Sequence, residues 1–345
     1  MAAEIAEQPA LLHRLATGPG SELARVSAAI AARRPRFVLL AARGTSDHAA
    51  LYAKYLIEVR LGLPAGLVSP SSMTVYGARP QLRDVLFIAV SQSGGSPDLI
   101  ESLAAARQCG AITVALTNNP SSELARAAEF SVDVQAGTER AVAATKSYTA
   151  QLLALYLLLA PLSDRPSATP AELGRLGEAA EQTLAGSAGV AAIAARFAGA
   201  DRLISTARGY SYPGAREAAL KLMETCYLGA QAFSGADLLH GPMAMVDADL
   251  PVLAILTPGA GGRAMPAVLD RLRERRADLV LVGGWPQLSG QQDVPVLPVV
   301  TAGLAEELFP IVEILPLQQL AYQLALQRGG DPDAPRGLSK VTQTW

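Results

Sequence analysis

The chain has 345 residues, 50% of them hydrophobic, and 29 Lys and Arg against 31 Asp and Glu give a formal net charge of −2. With a pI near 6.0, no basic face calls for nucleic acid or an anionic lipid surface as a partner, while the length allows two domains with substantial cores. Two cysteines, Cys109 and Cys226, lie inside helical patterns with no CxxC or Cys/His spacing around them; they read as buried thiols of a reducing cytoplasm, and no metal or other cofactor is called for.

In chain order, Glu4 to Thr17 and Ser21 to Arg34 read as two short helices joined by Gly18-Pro19-Gly20. Glu4 and Glu7 precede the first apolar stretch, the wrong order for a signal peptide. Phe37 to Ala42 is a fully apolar strand, FVLLAA, ending in Arg43-Gly44-Thr45-Ser46 and passing into a helix through Leu61. Leu67-Val68, Val85 to Val90, Ala111 to Leu116 and Phe130 to Val134 are further strands, and Thr145 to Leu159 is a closing helix. Continuous apolar strands alternating with helices predict a parallel sheet covered on both faces. The uncharged run from Ser147 to Leu162 opens with Ser, Thr and Gln and falls short of the roughly 20 residues that a bilayer requires. A Pro- and Ser-rich loop, Pro161 to Pro170, marks a boundary.

Beyond it the first half recurs. Arg43-Gly44-Thr45-Ser46 aligns with Arg208-Gly209-Tyr210-Ser211, and Asp84 to Ala89 aligns with Asp249 to Ala254, each pair 165 positions apart (208 − 43 and 254 − 89). One offset at two separated places predicts two copies of one α/β domain. The division expected is N-terminal helices at 1–35, a first domain at 36–165, a second at 166–330 and a tail at 331–345.

The copies differ where chemistry would lie. In the first, Ser91-Gln92-Ser93-Gly94-Gly95-Ser96-Pro97-Asp98 links a strand to a helix. Three hydroxyls, two glycines and Pro97 after a Ser96 cap make an anion cradle in which helix-start N–H groups could hold a phosphate without a lysine. An ordinary strand-to-helix turn has the same composition. The second copy reads Leu256-Thr-Pro-Gly-Ala-Gly-Gly262 there and lacks the serines. In an open parallel sheet ligands bind beyond the carboxyl ends of the strands, so Thr45-Ser46 and Ser91 to Ser96 would face one crevice.

The second copy offers ionisable groups instead. Glu217, Lys221 and Glu224 fall at i, i+4 and i+7 on one face of a helix from Tyr212 to Tyr227, a spacing that a solvated, salt-bridged stripe explains at least as well as a catalytic face. His240 lies in the constrained loop Leu238-Leu239-His240-Gly241-Pro242, where a structural histidine bonded to a turn carbonyl is the alternative. The tail around Pro335-Arg336-Gly337-Leu338-Ser339-Lys340 has too many breakers for a helix and could simply fray.

Taken together, EIAEQP (Glu4 to Pro9), RGTS, SQSGGSPD, AGTERAVAATKS (Ala136 to Ser147), EAALKLMET (Glu217 to Thr225), LLHGP and PRGLSK are similar, in order and over nearly the whole chain, to the isomerase half of glucosamine-6-phosphate synthase. The chain thus resembles the double sugar isomerase (SIS) domain family. That resemblance implies two tandem α/β domains, each a parallel sheet flanked by helices in a flavodoxin-like or Rossmann-like arrangement, with a C-terminal tail closing the site. It implies that Thr45, Ser46, Ser91, Gln92, Ser93 and Ser96 grip the sugar phosphate, with Val142 and Ser339 as further substrate contacts. Glu224 would move the proton between C1 and C2, Lys221 accompany it, His240 open the ring, and Lys340 form an imine with the open-chain sugar. In that family the histidine comes from a neighbouring subunit, so a homodimer is implied.

The chemistry wants the same groups: a carboxylate near C1 and C2, a histidine to shuttle a proton at the ring oxygen, a lysine for the carbonyl, and a phosphate handle to orient the rest. Two departures bear on which reaction is run. A glutamine-dependent synthase needs an N-terminal cysteine domain, and here Met1-Ala2-Ala3 leads almost directly into the isomerase part; Gly95 and Ala144 stand where that pattern has an acidic residue and a hydroxyl. The expectation is a breakdown enzyme converting glucosamine 6-phosphate to fructose 6-phosphate and ammonia. The alternatives are a deglycase for a phosphorylated fructosamine adduct and a non-catalytic sugar-phosphate sensor.

Overall fold

The computed structural model describes residues 1–18, 20–283 and 294–340; Pro19, residues 284–293 and residues 341–345 lie outside the described residues. The chain divides into two compact units. One holds Arg14–Glu139, Lys146–Thr169 and the chain from Ser339 on; the other holds Met1–His13, Arg140–Thr145 and Pro170–Leu338.

The first unit contains β1 (Phe37–Ala41), β2 (Ala65–Leu67), β3 (Val85–Ser91), β4 (Ile112–Thr117) and β5 (Phe130–Asp133), in the order β2-β1-β3-β4-β5. All of its pairings are parallel. The runs read as strands in the sequence are strands because β3 and β4 are buried on both faces, every residue of β4 included, and only apolar or small side chains fit such a layer. Phe87, Leu99, Leu103 and Leu124 are among the side chains that seal the helices onto it.

The second unit contains β6 (Arg202–Ala207), β7 (Gly229–Ser234), β8 (Pro251–Leu256), β9 (Asp278–Gly283) and β10 (Val296–Pro298), ordered β10-β9-β8-β6-β7, which read from the other edge is the same topology. Register repeats too. Val38 faces Ala65 and Leu39 faces Phe87 in one sheet; Leu203 faces Ala230 and Ile204 faces Val252 in the other. Ile204, Leu238, Val252, Leu269 and Leu281 belong to its core. Both sheets are therefore doubly wound parallel sheets, and the fold is a tandem α/β architecture.

Three expectations need correction. Glu4 to Thr17 is not one helix: Ala2–Ala6 and Gln8–Thr17 are separate, with Glu7 between them. Pro9, which lacks an N–H, sits in the first turn of the second helix, where no donor is needed. The helix that starts at Thr45 is α-helical only to Leu56 and finishes in a π-turn, Ile57–Leu61, stopped by left-handed Gly62. Cys226 is buried, whereas Cys109 is only half-buried. Among the described residues no helix is long and apolar enough to cross a membrane.

Candidate functional site

In the first unit the order β2-β1-β3 places a topological switch point between β1 and β3, the place where ligands enter open parallel sheets. The loop after β1 carries Thr45 and Ser46; the loop after β3 carries Gln92 to Ser96. Ser91 closes β3, and its hydroxyl accepts from the Gly94 N–H at 3.1 Å, while Ser93 Oγ accepts from the Gly95 N–H at 3.3 Å. Ser96 occupies the N-cap of helix Pro97–Gln108 in extended backbone, with Pro97 at the first position, yet its hydroxyl makes no capping bond. Gly94 is left-handed at φ +63°, and a Cβ there would lie 2.2 Å from Ser122 Oγ, so only glycine fits.

The surroundings fix this loop. Asn118 N–H donates to the Gln92 carbonyl at 3.1 Å and Leu124 N–H to that of Gly94 at 3.2 Å. Asp98 is 2% exposed and accepts from Arg43 at 2.9 Å (Nε) and 2.7 Å (Nη2), clamping the loop after β1 to the loop after β3. Ser46, also buried, accepts from Gln151 Nε2 at 3.0 Å. Arg43 thus has a structural use that its place in RGTS does not reveal, and Gln151 is a support that the sequence pattern gave no reason to single out.

Ser339 and Lys340 belong to this unit as well. Ser339 is exposed. Lys340 Nζ donates to Glu139 Oε2 at 2.9 Å, and the Glu139 side chain is shielded from solvent. Glu139 stands inside the AGTERAVAATKS signature, where it was read only as part of a pattern.

The other unit holds Val142, Lys221, Glu224 and His240. Helix Tyr212–Cys226 carries Pro213 in its first turn and ends at left-handed Tyr227. The reading of its charged face as a solvated stripe is overturned: Glu217 is 0% and Lys221 1% exposed. Lys221 Nζ lies 3.4 Å from Glu217 and 2.5 Å from Glu224 Oε2. Burial alone would lower the Lys221 pKa; the two carboxylates outweigh it and hold the ammonium above the usual lysine value. Glu224 keeps 22% of its side chain open, so it is the member of the three that a ligand can reach.

His240 follows the short helix Gly235–Leu239, its N–H bonded to the Asp237 carbonyl at 3.0 Å. The residue is exposed, and among the described residues no hydrogen bond or ion pair engages its imidazole, which disposes of a side chain tied to a turn carbonyl. The Val142 N–H donates to the Asp333 carbonyl at 3.1 Å. Farther along the tail, Arg336 stacks over the Tyr227 ring at 4.1 Å and its N–H donates to the Tyr227 hydroxyl at 2.9 Å, so this part of the tail is tied down. Glu4 of EIAEQP accepts from the N–H groups of Arg140 and, at 3.2 Å, Ala141, which is what that N-terminal signature does here.

Two parallel sheets of one topology, with a hydroxyl-rich turn at the switch point of the first, define a tandem, doubly wound α/β protein. The SIS domain family matches residues 33–161 and 196–285, and the chain belongs to that family. The glutamine–fructose-6-phosphate aminotransferase (isomerizing) of Gloeobacter violaceus is 35% identical over 364 residues, covering 99% of this chain and 58% of the relative. That of Methanothermobacter thermautotrophicus is 34% identical over 308 residues, covering 88% of this chain and 51% of the relative. The chain therefore spans little more than half the length of these curated relatives. Among solved structures, the C-terminal domain of glucosamine-fructose-6-phosphate aminotransferase from Francisella tularensis matches with a TM-score of 0.86 and 28% identity, over 97% of each chain.

Proposed function

We propose that the chain is a phosphosugar aldose–ketose isomerase and deaminase that converts glucosamine 6-phosphate to fructose 6-phosphate and ammonia. The phosphate would be held by Ser46, Ser91, Gln92, Ser93 and Ser96 with Thr45, and Val142 and Ser339 would touch the sugar. His240 would move the proton that opens the ring. Glu224 would take the proton from C2 and return it to C1, giving the ketose imine. Lys340 would then displace ammonia from C2, and water would release the ketose.

The observation that carries this reading is the charge arrangement on helix Tyr212–Cys226. A buried lysine, neutralised on one side by sealed Glu217, donates to a carboxylate that stays partly open. A structural ion pair has no need of that opening, whereas a proton-transfer group does. Purified protein given glucosamine 6-phosphate should release ammonia and fructose 6-phosphate in equal amounts, and the Glu224→Gln variant should release neither. Release by the variant at the wild-type rate, or none by either protein, would overturn the assignment.

A homodimer belongs to the same proposal. His240 is exposed and flanked by Leu239 and Met245, which are 40% and 39% exposed, a composition suited to a partner surface. If the histidine serves a second copy, mixing inactive Glu224→Gln and His240→Asn proteins and allowing subunits to exchange should restore part of the activity. No restoration in a mixture shown to contain hybrids would sink the sharing.

A further inference from the structure

We propose that Glu139 is the positioning residue of Lys340: it holds the lysine's Nζ at the place from which it attacks the sugar imine, and pairs with its cation before and after the step. The inference rests on the imine role proposed above for Lys340. Among the described residues, the tail leading to Lys340 carries no helix or strand from Gly330 on, and it contains Pro332, Pro335 and Gly337. The backbone therefore cannot orient a four-carbon side chain, and side-chain anchors have to.

Glu139 is built as such an anchor. It is 7% exposed, and its carboxylate is bolted to the start of helix Lys146–Leu159, with Oε1 accepting from the Ser147 N–H at 3.1 Å and Oε2 from the Ser147 hydroxyl at 2.7 Å. Oε2 also takes Lys340 Nζ at 2.9 Å, while the Lys340 side chain keeps 26% of its surface open. The rigid partner is thus the carboxylate, and the reachable one is the lysine.

The charge balance of the chemistry suits this pair. Lys340 Nζ passes one proton to the imine nitrogen and attacks C2 as the neutral amine; the C2–Nζ bond forms, a second Nζ proton moves to the departing nitrogen, and the bond from C2 to that nitrogen breaks, giving ammonia and a lysine iminium. One positive charge stands on Nζ before and after, and between the two it is carried by the nitrogen being displaced. The buried carboxylate therefore faces a cation at both ends of the step.

The test uses Glu139→Gln, whose amide can stay bonded to Ser147 with its oxygen on the N–H and its nitrogen donating to the hydroxyl, but which loses both the charge and the acceptor that Lys340 Nζ uses, with Glu139→Asp as the conservative variant. Borohydride added with fructose 6-phosphate should reduce the imine onto Lys340 in the wild-type protein, read by mass. Glu139→Gln should trap at least tenfold more slowly, Glu139→Asp should recover part of the rate, and the affinity for glucitol 6-phosphate, which has no carbonyl, should change less than twofold. Trypsin cleavage after Arg336 should also accelerate in Glu139→Gln. Trapping at the wild-type rate in Glu139→Gln, or a parallel loss of glucitol 6-phosphate binding, overturns the positioning role. Should the wild-type protein trap nothing, the imine reading falls and the positioning role with it; should it trap normally while Glu139→Gln shows unchanged cleavage and unchanged trapping, the positioning role alone is overturned.

Discussion

Glu313 shows what burial does to a single carboxyl group. It is 0% exposed, its Oε1 accepts from Ser211 Oγ at 2.9 Å and Thr257 Oγ1 at 2.5 Å, and its Oε2 has no hydrogen-bond partner among the described residues. Burial pushes its pKa up to about 7, with Glu306 nearby adding to the rise and the two hydroxyls opposing it. The folded chain therefore keeps a proton that the unfolded chain gives up from its ordinary value of 4.5. Stability falls as pH rises through the window from about 4.5 to about 7 and levels off above it, by about 3 kcal/mol. The Glu313→Gln variant, always neutral, should lose this slope and be more stable than wild type at pH 8 but not at pH 4.5. Urea unfolding at the two pH values checks it, and an equal response at both would refute it. Glycine positions differ in the same residue-level way. Gly44 and Gly94 both have positive φ, but a Cβ at Gly44 meets nothing within 4 Å, whereas at Gly94 it would strike Ser122, whose hydroxyl caps the next helix by accepting from Ala125 N–H. Gly44→Ala would put a side chain at φ 54° and ψ −131° and should cost about 1–3 kcal/mol of backbone strain. Gly94→Ala should cost more than about 2 kcal/mol and abolish phosphate binding, as melting and calorimetric titration would show.

At the scale of elements, helix Tyr212–Cys226 separates stability from chemistry. Lys221→Met would leave the sealed Glu217 without the ammonium it faces, and unfolding should become easier by about 3–5 kcal/mol. Glu224→Gln leaves the Lys221–Glu217 contact in place, so stability should stay within about 1 kcal/mol while ammonia release is lost; denaturant midpoints beside the activity assay distinguish the two. Spacing showed that Glu217, Lys221 and Glu224 share a face, but not that the face is buried, because a 3.6-residue period fixes direction relative to the helix and says nothing of what packs against it. The strands of the first sheet were legible as apolar runs, β1, β3 and β4 to within a residue at either end. β7 and β10 could be inferred only through the repeat, whereas β9 contains the buried apolar run Leu279 to Val282. β7 carries Gln231, Phe233 and Ser234 in a half-exposed edge strand, without the run of apolar residues that burial on both faces demands. The clamp of Arg43 on Asp98 and the support of Glu139 for Lys340 were hidden for another reason: each joins residues far apart in the chain, and charge alone names no partner.

Across the whole molecule, the offset of 165 seen in two short motifs extends to backbone conformations. Gly44 and Gly209, Gly62 and Tyr227, and Asp84 and Asp249 all have positive φ, each pair separated by that number. Duplication has preserved the turns while the switch points have diverged. In the first copy the loop after β3 presents serines, and the Ser96 hydroxyl makes no capping bond. In the second copy the corresponding places are filled from within the chain. Ser211 and Thr257, which stand 165 beyond Ser46 and Gln92, both donate to Glu313. The Gly261 N–H, at the place of Ser96, donates to Glu306 Oε1 at 3.1 Å, and that side chain lies so close to Gly259 that a Cβ there would be 2.3 Å from its Cδ. Glu313 and Glu306 at the second switch point already accept from the donors a phosphate would need. Calorimetric titration with fructose 6-phosphate should therefore give one site per chain. Ser93→Ala combined with Ser96→Ala should abolish that site, and Thr257→Val should leave it unchanged. Two sites per chain, or loss of binding on changing Thr257, would show that the second copy is open to anions after all.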